Sequence, residues 1–129
     1  MTHYERTNPK ARKPHRCGSC LRTIQPGETY LRGVGMEGGS AWTWKECGHC
    51  ERLSEFVVRL HGLDEYGGED LHDWDPDGLA ELRVKVHFRK RWTRQDGTLF
   101  PLPGQVTGRQ DLGHGFSITR VVGILPGAT

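Results

Sequence analysis

Apolar residues recur along this chain in two rhythms. From Glu28 to Val34, and again from Ala41 to Lys45, the chain reads as strands with a period of two, and the second run sets Trp42 and Trp44 on one face. Pro26-Gly27 marks a turn feeding the first run, and the glycine-rich stretch GMEGGS separates the two, so the pair reads as a hairpin with a longer loop. From about Gly48 the period lengthens. Leu53, Phe56, Val57 and Leu60 fall at i, i+3, i+4 and i+7, the apolar stripe of a helix that Gly62 ends.

The flanking segments read differently. Residues 1–16 show no period and hold Arg6, Lys10, Arg12, Lys13 and Arg16 against the single acid Glu5, which predicts a flexible basic arm. Residues 63–78 (LDEYGGEDLHDWDPDG) carry seven acids and no Lys or Arg, the composition of a solvated acidic linker or loop. Residues 79–129 read as a β-rich region. Its clearest strand is Arg83 to Arg94, where Val84, Val86 and Phe88 alternate with Lys85, His87 and Arg89; Asp96-Gly97 is a hairpin turn signal, and Ser117 to Leu125 adds a last strand. The fold class expected is α+β: an organised unit at residues 17–62, packed beside or tethered to a β-rich C-terminal part.

Composition adds a constraint on the core. Only 34% of the 129 residues are apolar, and 18 glycines bury no side chain, so the core is thin and needs a staple. A net charge of +2 is too mild to announce a nucleic-acid partner by itself, so the distribution of basic residues matters more. No stretch approaches the roughly 18 apolar residues of a membrane span, and the polar start lacks the apolar run of a secretion signal. These features predict a soluble cytoplasmic protein, in a compartment where thiols stay reduced and free to bind metal.

Cys17, Cys20, Cys47 and Cys50 form two CxxC pairs. Each pair offers two thiolates from one tight turn, and two pairs complete the tetrahedral set that zinc prefers. The intervening residues 21–46 are accounted for by the predicted hairpin. A helix starting at the second pair favours thiolate over thiol through its exposed N–H groups and positive dipole end. One structural zinc ion is therefore expected; an iron centre of rubredoxin type and a redox dithiol are the alternatives, the latter without the βαβ context it requires. A closed four-thiolate site leaves no position for activating water. His49, inside the second pair, reads as an exposed helix-start residue, and His15 likewise as a non-ligand.

The order of a CxxC turn, a hairpin and a helix opening with the second CxxC resembles the treble-clef zinc finger. More narrowly, C-x2-C-x3-I-x2-GE-x-Y-x-R at Cys17 to Arg32, followed by KECGHC, is similar to small CxxC proteins of bacteriophages and their bacterial hosts. The resemblance covers about residues 14–62, and Leu21 departs from it by standing where many such knuckles have glycine. It implies Cys17, Cys20, Cys47 and Cys50 as zinc ligands. Nucleases of the His-Me type share the treble clef, but residues 21–46 lack the histidine, aspartate or asparagine those enzymes place there. No Ser/His/Asp set or phosphate loop substitutes, so no catalytic residue is assigned. Convergence of His61, His72, His87 or His114 on a second metal would reopen the question of an enzyme.

Two further patterns carry candidate chemistry. Asp73, Asp75, Asp77 and Gly78 open a calcium-loop pattern, but Val84 holds the place of the required glutamate and Pro76 intrudes, leaving a solvated acidic turn. The stretch RVKVHFRKRWTR interleaves cations with Phe88 and Trp92; alternation would put Lys85, His87, Arg89 and Arg91 on one outward stripe. The candidate nucleic-acid contacts are thus Lys10, Arg12, Lys13, Arg16, Lys85, Arg89, Arg91 and Arg94. Trp42, Trp44 and Tyr30 are expected to cover the helix stripe, and exposure of either tryptophan would mark a partner surface. The leading expectation is a zinc-stabilised, non-catalytic regulator bound to nucleic acid. The alternative is a protein-interaction module, such as a phage factor acting on a host protein.

Overall fold

The computed structural model describes residues 3–61 and 69–126. Among these residues, seven strands and three helices follow in the order β1 (His3–Thr7), β2 (His15–Arg16), β3 (Thr23–Ile24), β4 (Tyr30–Glu37), β5 (Ser40–Cys47), α1 (Gly48–His61), α2 (Glu69–Asp73), α3 (Leu79–Arg89), β6 (Gly104–Gly113) and β7 (Phe116–Leu125). The chain is α+β, with a three-stranded sheet ordered β1-β4-β5 and the two-stranded ribbons β2-β3 and β6-β7.

The β4-β5 hairpin closes between Glu37 and Ser40, so its loop is the two residues Gly38 and Gly39 rather than a longer one. Both have positive φ, 56° and 85°, the primed turn that matches strand twist and that glycine adopts without strain. The residues expected to be a flexible arm are instead paired: β1 runs antiparallel to β4 from His3↔Met36 to Thr7↔Arg32. Lys10 bridges Thr29, and the buried Ala11 donates its N–H to the Glu28 carbonyl. Backbone hydrogen bonds to a distant strand hold this segment, which needs no apolar periodicity of its own.

Trp42 and Trp44 share a face of β5, but they do not cover helix α1. Their indoles lie over Gly35 and Gly33 of β4, and Tyr4 of β1 meets them edge-on at 6.0 and 6.5 Å between centroids. Glycine is required under them: a Cβ at position 33 would stand 2.0 Å from Trp44 Cε2. Trp42 remains 39% exposed. The face of α1, with Leu53, Phe56 and Val57 buried and Leu60 exposed, is covered from elsewhere.

Two of its covers come from the segment expected to be a solvated linker, since Leu71 and Trp74 are fully buried there. Trp74 meets Phe56 edge-on at 6.3 Å. The expected helix stop at Gly62 and residues 63–68 lie outside the described residues. Strand β7 covers α1 too, and it also packs on residues expected to be a strand: Leu79–Arg89 is a helix, with Val84, Lys85 and Phe88 buried. The alternation Val84-Val86-Phe88 coexists with the spacing Val84-Phe88-Trp92, and the second pattern is the one buried, Val86 staying exposed. Upstream, Leu79-Ala80-Glu81-Leu82 are good helix formers, and Glu81 sits at the favourable N-terminal end.

The C-terminal region therefore begins with a helix and ends in one ribbon, β6-β7, whose two-residue turn His114-Gly115 has φ of 54° and 79°. At its base Val121 and Ile124 pack on α1 and α3. One core results: the four cysteines, Ile24, Tyr30, Leu53, Phe56 and Val57 are continuous with Leu71, Trp74, Val84, Phe88, Trp92, Val121 and Ile124. No helix among the described residues is long and apolar enough to cross a membrane.

Candidate metal centre and the adjoining groove

The first knuckle grows out of the β2-β3 ribbon. The Cys17 N–H donates to the Arg22 carbonyl at 2.8 Å, and the Leu21 N–H returns to the Cys17 carbonyl at 3.1 Å. This closure requires a left-handed residue at position 21. Leu21, with φ 67°, takes the conformation that a glycine there would hold without strain. The Gly18 N–H donates to the Lys45 carbonyl at 2.8 Å and fastens the knuckle to β5. Cys47 ends β5 and Cys50 sits in the first turn of α1, which completes the second knuckle.

The four cysteines are buried, and their sulfurs all lie within 4.8 Å of one another. They are free thiols, with Cys20 Sγ and Cys47 Sγ 3.8 Å apart. Tetrahedral coordination with metal–sulfur bonds of about 2.3 Å places sulfurs about 3.8 Å apart, so the cluster fits one ion of this kind. Backbone N–H groups of Ser19, Cys20 and Cys47 point at Cys17 Sγ at 3.4, 3.5 and 3.3 Å. From the C-terminal half, Trp92 Nε1 donates to Cys50 Sγ at 3.3 Å.

Electrostatics argue the same way. Hydrogen bonds from Cys20, Cys47 and Cys50 hold the Cys17 thiol far below its ordinary pKa, whereas burial, followed by the neighbouring sulfurs, pushes Cys50 well above. Four buried sulfurs cannot all ionise beside one another without a cation between them. Beside them Arg22 is 8% exposed and forms a two-pronged ion pair with Glu28, both contacts 3.0 Å. Burial opposes its charge, but Glu28 and the nearby Cys47 sulfur outweigh that and hold the guanidinium protonated.

His49 is not exposed as expected: it is 4% exposed, and its Nε2 meets the Phe100 carbonyl at 2.5 Å. His15 stacks on Tyr30 at 4.9 Å and places Nδ1 3.0 Å from Lys45 Nζ. Neither belongs to the cysteine cluster, which is the one group of three or more metal-ligating side chains found together among the described residues. His61 pairs with Glu81 at 2.8 Å, His72 meets the Ser19 carbonyl at 3.0 Å and His87 lies on Phe100 at 4.2 Å, so these histidines do not converge.

The basic candidates divide. Lys85 is 7% exposed, hydrogen-bonded to the Trp74 carbonyl, and is withdrawn from any surface stripe; it ties the α2 segment to α3. The outward stripe fails with the strand that was to carry it. Lys10, Arg12, Lys13 and Arg89 are exposed. Arg94 stacks over Phe100 at 4.9 Å. Arg16 and Arg91, 75 positions apart, are brought together: they line one open groove of about 360 Å³ beside the first knuckle, with Leu21, Arg22, Thr23 and Leu99. Arg91 reaches it because α3 ends in two left-handed residues, Arg91 (φ 58°) and Trp92 (φ 57°), which turn Trp92 inward and Arg91 outward. Sequence reasoning missed Leu21, Arg22 and Leu99 as groove residues, and only the CxxC knuckle next to Leu21 and Arg22 offered a signal.

Compared with family models, with curated proteins and with solved structures, the chain matches none of them.

Proposed function

We propose that the four cysteines bind one structural zinc ion, that the surrounding unit is a treble clef, and that the protein is a non-catalytic nucleic-acid-binding regulator using the adjoining groove. The four buried cysteines, with N–H donors to the Cys17 and Cys50 sulfurs, make a closed site with no open coordination position, which favours a structural ion such as zinc over a catalytic role. The resemblance to small CxxC proteins of phages and bacteria supports the same reading, and a cytoplasmic site of action goes with it.

The observation that carries the nucleic-acid reading is the convergence of Arg16 and Arg91 on one groove. Leu21 and Leu99 are exposed there, offering apolar contact for a base while the two guanidiniums take the phosphates. Fluorescence polarisation with labelled single-stranded and duplex oligonucleotides across a salt series tests it. Binding weakens linearly on a log–log plot, and Arg16→Ala and Arg91→Ala each reduce the slope by about 0.7–0.9. Absence of binding at low salt would end this reading. Elemental analysis tests the metal separately: one zinc per chain is expected, lost in Cys20→Ser.

A second reading rests on the other exposed face. Tyr4 and Trp42 are exposed on one face of the β1-β4-β5 sheet, 42 and 39%, which suits a protein partner. If oligonucleotides fail, Trp42→Ala in a pull-down from the host is the next experiment.

A further inference from the structure

The distal part of the β6-β7 ribbon stands apart from the core. Every residue from 109 to 120 is exposed, including Leu112 (52%), Phe116 (70%) and Ile118 (43%). The register sets Gln110 opposite Ile118 and Gly108 opposite Arg120, so Gln110, Leu112, Ile118, Arg120 and Val122 share one face, where Arg120 donates to Gln110 Oε1. A two-stranded ribbon is marginal in water, and a third or fourth strand is the usual remedy. Among the described residues no strand flanks β6 or β7, so both outer edges are open to pairing.

Charge on β6 says which partner fits. Its charged residues are Arg109 and Asp111, flanking Gln110 and pointing to the same face. Neither forms an ion pair among the described residues; Arg109 Nε donates to Ser117 Oγ at 2.9 Å, and Asp111 Oδ1 accepts from the Gly113 N–H at 2.9 Å. Antiparallel pairing of β6 with a second β6, centred on Gln110, places each Arg109 opposite the other copy's Asp111. Two cross-strand ion pairs form, and the face carrying Leu112, Ile118 and Val122 extends over four strands. Strand β7 lacks this complementarity, since Arg120 is its sole charged residue.

We infer that the protein self-associates through β6, as a two-fold dimer with the sheet order β7-β6-β6-β7. Sedimentation of the zinc-loaded chain shows a concentration-dependent dimer. Arg109→Asp opposes four acids across the seam and weakens it at least about tenfold; the double exchange Arg109→Asp with Asp111→Arg restores it. Gln110→Cys, whose copies meet at the axis about 4.5–5.5 Å apart by Cα, yields a disulfide-linked dimer on mild oxidation, and Ser117→Cys does not. Circular dichroism checks that each variant is folded. A chain monomeric at several hundred micromolar overturns the inference and leaves the ribbon for another protein's strand. A dimer indifferent to Arg109→Asp overturns it as well, placing the contact on another face.

Discussion

The hydrogen bond from Trp92 to Cys50 is the most direct link between the C-terminal half and the metal centre, and Trp92→Phe tests it. Trp92 is 1% exposed, with Nε1 3.3 Å from Cys50 Sγ and its ring against His49 and Phe88 at 5.4 and 6.3 Å. Phenylalanine keeps most of the packing and deletes the donor. Loss of a hydrogen bond to a charged acceptor costs about 1.5–3 kcal/mol. The smaller ring adds roughly 1 kcal/mol if about 40 Å³ stays unfilled, at about 24 cal/mol per Å³. Because metal binding and folding are coupled, zinc competition against a chromophoric chelator reads both effects, an expected loss of about 60- to 700-fold. Phe88→Leu separates them, as a packing change alone. In the cobalt-substituted protein, Trp92→Phe shifts the thiolate-to-cobalt charge-transfer band and Phe88→Leu leaves it in place. An unmoved band, with zinc affinity falling no further than packing accounts for, would refute the reasoning.

Leu21→Gly relieves a left-handed leucine worth about 1–2 kcal/mol against an entropic cost of about 0.5–1, so thermal denaturation should rise by about 2–4 °C. Gly33→Ala drives a methyl into Trp44 and destabilises by about 1–3 kcal/mol, seen in denaturant midpoints alongside a shift in tryptophan emission. Burial raises the Glu28 carboxyl pKa, but hydrogen bonds from Arg22 and the Gln25 N–H prevail, so its net value lies below the ordinary 4.5. Its contribution is complete above that value and is lost as pH falls through the depressed one; the stability gap between wild type and Glu28→Gln, in which zinc release cancels, should close over that window. Chelation should abolish amide protection in α3 as well as in α1, because both pack in the core that contains the cysteines.

What the sequence revealed and what it hid divide along the range of the forces involved. The cysteine cluster, the β4-β5 hairpin and α1 rest on short spacings: two CxxC turns, two alternating runs and one stripe of period 3.6. The pairing of β1 depends on a strand more than 20 residues away and leaves no local trace. In α3, Val84, Val86 and Phe88 satisfy a strand pattern while Val84, Phe88 and Trp92 satisfy a helical one; burial against β7, absent from any local window, decides. The acidic segment misleads differently. Its seven acids describe the solvent side, and two apolar residues, Leu71 and Trp74, are enough to anchor it. The groove was hidden because it needs Arg91 at a left-handed helix end, a conformation arginine does not advertise.

These long-range contacts change what the metal does. A zinc that held residues 17–62 alone would leave the rest to fold independently, but Leu71, Trp74, Phe88 and Ile124 have no separate core to join. Structural zinc supplies about 10–16 kcal/mol, comparable with the whole stability of an ordinary domain, about 5–15 kcal/mol. The groove lies where this dependence is greatest. Arg16 and Leu21 bracket the first knuckle, while Arg91 adjoins the tryptophan whose N–H reaches Cys50. Metal loss would therefore separate the two groove arginines, coupling the shape of the groove to metal occupancy.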